Sequence, residues 1–276
     1  MTPPSGRAPG RASAGTRATP TRSAATRGAP VQQPAYVLHQ HDWSESSLIL
    51  DLFTRESGRI AVAAKGAKRP YSQLRAVLLP LQRISVSLSK PPKTAPAEGG
   101  EVQTLRSAEW GGGATLPAGA ALFSGYYLNE LLLKLLARHD PHPHLFDAYA
   151  DTLSALAQGD AALRAFELKL LAELGLLPDL SVVTPTQSAI DLARRYQLSP
   201  ESGLIPPTSD ASLPATLLIQ LQAALQHGSM AALRQACAAE PQGLKATLRG
   251  LLHYHLGHQP LRTRALMIDV QQLLDS

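Results

Sequence analysis

Eight Lys and Arg residues fall between Ser57 and Ala97 (Arg59, Lys65, Lys68, Arg69, Arg75, Arg83, Lys90 and Lys93), with no Asp or Glu among them. The densest part reads Lys65-Gly66-Ala67-Lys68-Arg69-Pro70-Tyr71-Ser72 and follows an apolar stretch, Ile60 to Ala64. Cations gathered at a glycine-punctuated strand exit offer a phosphate both positive side chains and open backbone N–H groups. The chemistry this predicts is neutralisation of a polyanion, a nucleic acid first of all. Surface Lys and Arg often do no more than keep a small barrel in solution, but there they usually alternate with acids, and here none intervenes. Arg59, Lys65, Lys68, Arg69 and Arg75 are therefore the candidate phosphate contacts, with Arg83 a weaker one. Tyr71 is placed either to stack on a base, worth about 1–3 kcal/mol where it occurs, or to anchor its loop. Aromatics are 5% of the chain, too few for a dense stacking platform. Binding should then be weakly sequence-specific and strongly salt-dependent, log affinity falling by roughly 0.7–0.9 per phosphate contact for each log unit of salt.

Other chemistries find less support. His139-Asp140-Pro141-His142-Pro143-His144 gathers imidazoles as a metal site would,. It also links two predicted helices and carries two stiffening prolines, and a linker is the better reading, with a metal-dependent nuclease the weaker alternative. No phosphate-loop, dinucleotide-binding, nucleophile-elbow or His-Glu-x-x-His pattern occurs,. Cys237 is the only cysteine, which excludes an intrachain disulfide and a cysteine zinc cage,. It lies on an apolar face with Ala232, Leu233 and Ala236, where a small buried hydrophobe is expected rather than a nucleophile. The sequence thus predicts no enzyme and no cofactor.

The elements that must carry the cations change character along the chain. Tyr36-Val37-Leu38 opens a short strand, and Ser46 to Thr54 alternates Leu48, Leu50 and Leu52 against Ile49, Asp51 and Phe53, the period of a strand with one buried face. Glu56-Ser57-Gly58 reads as a hairpin turn into a third strand, Arg59 to Lys65. Ala67 to Leu81 is a loop, and Arg83 to Ser89 is a fourth strand with clean alternation. An insertion at Lys90 to Gly100, rich in Pro and Gly, precedes a fifth strand, Glu101 to Ala108. Five short strands predict an OB-type β-barrel over residues 34–110. Gly111-Gly112-Gly113 then acts as a hinge or short linker. Beyond it Leu122, Tyr126, Leu128, Leu131, Leu132, Leu135 and Leu136 recur at helical spacing. Helical faces follow over His144–Ala157, Ala161–Leu174, Leu213–His227, Ser229–Ala238, Leu244–Leu256 and Arg264–Leu274. Residues 114–276 are thus a helical domain, with an irregular insertion around 180–214, and the fold class is α+β multidomain. Gly175, Gly228 and Gly257 sit where helix C-caps want a left-handed residue. The leucine stripe of the first helix reads as core, with a peptide-accepting groove as the alternative.

Charge is distributed unevenly. Residues 1–33 hold Arg7, Arg11, Arg17, Arg22 and Arg27 and no acid. These five account for the whole net charge of +5, the remaining twenty-one basic residues balancing twenty-one acids. That segment reads as a disordered basic arm. No apolar run approaches the roughly 18 residues of a membrane span, and no signal-peptide core is present. With a single cysteine, a reducing cytoplasm is the expected setting.

Taken together these residues resemble the RecO family of bacterial recombination mediators. The resemblance rests on Tyr36-Val37-Leu38, Ser44-Glu45-Ser46-Ser47-Leu48, Asp51 to Arg59, Ala64 to Ser72, Pro80-Leu81, Glu101 to Leu105, Tyr126 to Leu131, Leu145-Phe146-Asp147, Arg164 to Glu167, Leu174 to Leu180, Leu256-Gly257 and Arg262-Thr263-Arg264. It covers nearly everything from Pro34 onward, and Lys-Gly-Ala-Lys-Arg is its most specific piece. What the resemblance implies is an N-terminal OB-fold, a helical C-terminal domain, and binding of single- and double-stranded DNA with annealing of complementary strands. The implied partners are RecR, the C-terminal tail of single-strand-binding protein, and RecA, which is loaded downstream. The implied setting is the cytoplasm, on the nucleoid when DNA is bound. A protein-interaction scaffold, with its helical half as the working surface and only auxiliary DNA contact, is the alternative. Two features depart from the family pattern. Some members carry a four-cysteine zinc site in the region of 180–214, where this chain has no cysteine, so no structural zinc is expected. The Arg-bearing arm and the Lys90–Gly100 insertion are also unusual; the arm either adds nonspecific DNA affinity or reflects a start codon set too far upstream.

Overall fold

A computed structural model describes residues 32–89, 102–113, 115–208, 212–257, 261–263 and 265–266. The basic arm up to residue 31, the Lys90–Gly100 insertion and most of the helix expected at Arg264–Leu274 lie outside the described residues. Five strands, β1 (Gln32–Asp42), β2 (Leu48–Thr54), β3 (Gly58–Ala64), β4 (Arg83–Leu88) and β5 (Gln103–Trp110), close into a barrel in the order β1-β2-β3-β5-β4. All neighbours are antiparallel except β3 and β5, which run parallel. This is an OB-type barrel. A four-residue helix, α1 (Leu74–Val77), stands within the predicted loop between β3 and β4.

The alternation of Leu50 and Leu52 fills the barrel interior together with Ala35, Val37, Ile60, Val62, Ile84 and Val86. Leu74, Val77 and Leu78 add to that core, and the Gln40 side-chain amide donates to the Leu78 carbonyl. α1 thereby plugs the barrel near the end where β3 finishes. The outward residues of the lower barrel are buried too. Tyr36, Leu38, Phe53 and Leu81 join the core of the helical region. Tyr36 meets Tyr149 and Phe146 at ring separations of 4.9 and 5.3 Å, and Phe53 meets Phe146 at 5.4 Å. Aromatic pairs at such separations add about 0.5–1.5 kcal/mol beyond the area they bury.

After Gly113 come α2 (Ala120–Leu135), α3 (Pro143–Ala155), a 3₁₀ turn at Leu156–Gln158 and α4 (Asp160–Glu173). Leu128, Leu131, Leu132 and Leu136 are fully or nearly buried, so the stripe is core. Residues 182–214, where the sequence shows no period, hold β6 (Val182–Val183), β7 (Ser188–Ala189), β8 (Arg195–Ser199), β9 (Gly203–Ile205) and β10 (Leu213–Pro214). These strands are too short to write a period, and they are stitched by side chains. Thr184 Oγ1 accepts from the Leu204 N–H at 2.8 Å, and the Tyr196 hydroxyl accepts from the Asp191 N–H at 2.8 Å. Leu180, Leu204 and Leu213 supply the apolar floor beneath them. Then follow α5 (Ala215–Gln226), α6 (Met230–Cys237) and α7 (Pro241–Leu256). Gly175, Gly228 and Gly257 all take positive φ at helix ends, as their placement predicts.

Three glycines in sequence mark the junction, yet the two halves are locked rather than hinged. A β-bulge between Val37 and His39 frees two carbonyls of β1, and buried Asn129 of α2 donates its amide to the carbonyls of Val37 and Leu38 at 3.4 and 3.2 Å. Tyr149 donates to Asn129 Oδ1 at 2.5 Å. Gly58, with φ +67°, presses so closely on the α2–α3 connection that a Cβ there would lie 2.0 Å from the Asp140 carbonyl oxygen. Arg55 forms a bidentate pair with Asp147 of α3 at 3.0 and 2.8 Å.

Candidate nucleic-acid interface

Strand direction sorts the barrel into two rims. β1 and β3 end, and β2 and β5 begin, at the upper rim, since Asp42 pairs with Leu48, Leu48 with Ala64 and Ala63 with Thr104. The lower rim carries Thr54, Gly58, Arg83 and Trp110, and it is the side that meets α2 and α3. The cations named from sequence divide between these rims.

Lys65, Lys68, Arg69 and Tyr71 stand together in the connection that leaves β3 at the upper rim. Gly66 takes φ +73°, a conformation that disfavours any residue with a Cβ,. The turn closes through the N–H of Ala67 to the carbonyl of Ala64 and that of Arg69 to Gly66, while Ala67 itself tucks into the barrel. The Arg69 side chain folds back over Gly66, with its Cδ and Nε 3.6 Å from where a Cβ would stand. Lys65 and Arg69 are exposed, and Tyr71 is 96% exposed, so it anchors nothing in the described structure. Arg75 is exposed on α1 a few residues on.

The β1–β2 loop is bound to this connection. The Lys68 N–H donates to the Ser46 carbonyl at 3.0 Å, the Gly66 N–H to Ser47 Oγ at 3.4 Å, and Lys68 Nζ sits 3.0 Å from Asp42. Asp42 thus holds Lys68 in place and partly neutralises it. Among the described residues no ion pair engages Lys65, Arg69 or Arg75. At the tip of the β1–β2 loop Trp43 is 57% exposed, a large aromatic that the basic stretch did not point to. Its signal was available, because a tryptophan flanked only by Asp42, Ser44 and Glu45 has no apolar neighbours to bury it. Ser89 and Val102, the residues on either side of the undescribed 90–101, also stand at this rim, with the Ser89 N–H donating to the Thr104 carbonyl at 2.9 Å. Lys90 and Lys93 lie outside the described residues. The rim therefore carries the β1–β2 loop and the described ends of β4 and β5, on the side where OB-folds hold oligonucleotides,.

Arg59 and Arg83 lie elsewhere. The Arg59 side chain is 16% exposed and 3.3 Å from Asp51, which is itself 6% exposed. Its guanidinium also donates to the carbonyls of Leu133 and Leu136 at 2.5 and 3.2 Å, satisfying the open C-terminal end of α2,. Asp51 gathers Arg138 at 3.0 Å and His41 at 3.5 Å as well. Arg83 is at the lower rim, opposite Tyr36 in the β1–β4 register, with its carbonyl accepting from Gly111.

The remaining chemical candidates are structural. His142 occupies the N-cap position of α3 ahead of Pro143, and His139 donates its N–H to the Arg59 carbonyl at 2.9 Å. Among the described residues no three His, Cys, Asp or Glu side chains converge as metal ligands. Burial pushes the Cys237 thiol up to about 12, far from a nucleophile's range. No helix among the described residues is long and apolar enough to cross a membrane.

Comparison with known proteins agrees along the length of the chain. Residues 29–110 match the family described as Recombination protein O N terminal, and residues 117–265 match Recombination protein O C terminal. Similar curated proteins include the DNA repair protein RecO of Albidiferax ferrireducens, 51% identical over 252 residues that span 87% of this chain and 96% of that one. The protein of the same name from Polaromonas sp. strain JS666 is 49% identical over 251 residues, 87% of this chain and 97% of its own. That of Paracidovorax citrulli is 51% identical over 257 residues, with 87% and 97% covered.

Proposed function

This chain belongs to the RecO family, and from that premise we propose that it is a non-catalytic DNA repair and recombination mediator whose upper barrel rim holds the phosphate backbone. Lys65, Lys68, Arg69 and Arg75 neutralise phosphates there, and Trp43 and Tyr71 stack on unpaired bases. The observation that carries this reading is the tie between the two rim loops, which brings exposed cations and two exposed aromatics onto one surface. Such a surface favours single strands, whose bases are open to stacking, while its cations also accept a duplex backbone. Screening phosphate repulsion without reading base edges is what annealing of complementary strands requires. Cooperation with RecR, docking of the single-strand-binding protein tail and delivery of RecA belong to the same proposal and come from family membership.

In this reading Arg59 does not touch DNA and instead holds the barrel to α2. The test is a salt series of fluorescence anisotropy on a labelled oligothymidylate, comparing the protein with K65Q/K68Q/R69Q. Three lost phosphate contacts on a single strand should flatten the log–log salt slope by about 2. An unchanged slope would remove the rim as the binding site.

A further inference from the structure

The rim does not end at the β1–β2 loop. Two residues before Trp43, His41 faces outward from β1, and His39, just past the bulge, faces outward too, their rings 4.3 Å apart and edge-to-face. Both are exposed. On β2 the group facing them is Asp51, and on β3 it is Arg59; from the α2–α3 connection comes Arg138. From the far end of the chain comes Arg262, close enough to His39 for its charge to act on the imidazole. α2 faces the same seam with Glu130 and Lys134. Glu130 accepts the N–H groups of Arg262 and Thr263, each at 2.9 Å, and the Thr263 hydroxyl at 2.7 Å, fixing that segment against the helix.

Of these groups the two carboxylates are already engaged. Asp51 is shared by Arg59, Arg138 and His41, and Glu130 by Lys134 and the Arg262–Thr263 backbone. Asp51 offsets only part of the positive charge that Arg59, Arg138 and His41 bring to it, and besides Lys134, held at Glu130, the exposed basic side chains here are His39, His41, Arg138 and Arg262. We propose that these four form a second phosphate-contact strip, which leads a bound DNA strand from the barrel rim across the seam onto the helical domain and tightens as the imidazoles protonate. The proposal rests on the rim as the first contact.

Protonation and binding are linked reciprocally. Burial and the neighbouring charges of His41 and Arg262 hold His39 below the ordinary histidine range in the free protein. A phosphate laid along the strip offsets those charges and favours the protonated form of His39, so DNA binding takes up protons,. Each unit of rise is worth up to tenfold in affinity on the acid side.

The test is H39Q/H41Q against the unaltered full-length chain, by anisotropy from about pH 7.5 to about pH 5.5. The probes are labelled oligothymidylates of about 8 and about 30 nucleotides, below and above the span of a single barrel site. The unaltered protein should gain roughly tenfold more affinity than the variant for the longer oligonucleotide on going to acid, with a smaller difference for the shorter one. Uptake of protons on binding, read from the buffer dependence of the calorimetric heat, should fall in the variant. An acid-side gain retained in full by H39Q/H41Q, or equal for both lengths, overturns the strip. K65Q/R69Q in the same titrations keeps the two readings apart. If its salt slope matches that of the unaltered protein, the rim fails whatever the histidines do.

Discussion

Replacing Arg59 by Gln separates a structural arginine from a DNA-binding one. The side chain is 16% exposed and makes three polar contacts, to Asp51 and to the carbonyls of Leu133 and Leu136. Breaking a buried ion pair by removing one partner costs about 3–5 kcal/mol when nothing else compensates. Here Asp51 keeps Arg138 and His41, and the glutamine amide nitrogen stands where Nε stood, beside Asp51, so the loss should be about 2–4 kcal/mol. For a unit of this size that lowers the thermal midpoint by roughly 5–15 °C. Urea denaturation followed by circular dichroism measures the first quantity, and a thermal scan the second. The salt slope of oligonucleotide binding, taken well below the midpoint, should not move, because no phosphate is lost. A stability change under about 1 kcal/mol together with a slope lower by about 0.7, the signature of one lost single-strand contact, would refute the assignment.

Two further outcomes follow from the seam. Gly58→Ala forces a Cβ to within 2.0 Å of the Asp140 carbonyl at a positive φ, and should cost about 3 kcal/mol or more in urea denaturation; a variant as stable as the parent would mean that barrel and helical region are not in contact there. Glu130 is raised by burial, but hydrogen bonds from Thr263 and Arg262 and the charge of Lys134 outweigh this and leave its carboxyl below the usual range. A carboxyl depressed in the folded state contributes stability above its unfolded pKa and loses it as pH falls through the folded one. Glu130→Gln should therefore cost about 1 kcal/mol at neutral pH, a gap that closes below about pH 4.5. A gap constant down to pH 3 would contradict the charged cap.

The barrel was legible because its inner face writes a period of two. Leu48, Leu50 and Leu52 alternate, as do Ile84, Val86 and Leu88, and each set faces one core. The outer face was not legible, because what buries Tyr36 and Phe53 is a helical region nearly a hundred residues away in sequence. For the same reason β1 runs from Gln32 to Asp42 while only Tyr36-Val37-Leu38 reads as strand; its upper end is His39-Gln40-His41, polar because that face is open. Charge counting grouped Lys65, Lys68, Arg69 and Arg75 with Arg59 and Arg83, since composition carries no information about which rim a residue occupies. The β2–β3 register does carry it. Phe53 pairs with Arg59 and Asp51 with Ala61, so a tight turn at Ser57 already sets Arg59 on the same outward face as the carboxylate. Trp43 escaped because the two rim loops are separated by two whole strands and meet only through the ties of Ser46 and Ser47 to Lys68 and Gly66.

β1 explains why a small barrel carries a helical region that contributes little to its interior. Its inward residues Ala35 and Val37 belong to the barrel core, while Tyr36 and Leu38 belong to the core of the helices. The bulge between Val37 and His39 is where the strand changes duty. Below it the outward face is sealed by Asn129 and the aromatic cluster, and above it the same face is open and carries the two histidines. A bulge needs partners for the carbonyls it frees, and Asn129 provides them only while α2 stays docked,. Anything that loosens α2 therefore loosens the strand that sets the β1–β2 loop, and with it the position of Trp43. The helical region acts on the upper rim through this strand, so substitutions at the buried seam contacts Gly58 and Asn129 should reach DNA binding by way of stability, whereas substitutions at the proposed rim and strip should reach it directly through the salt slope,.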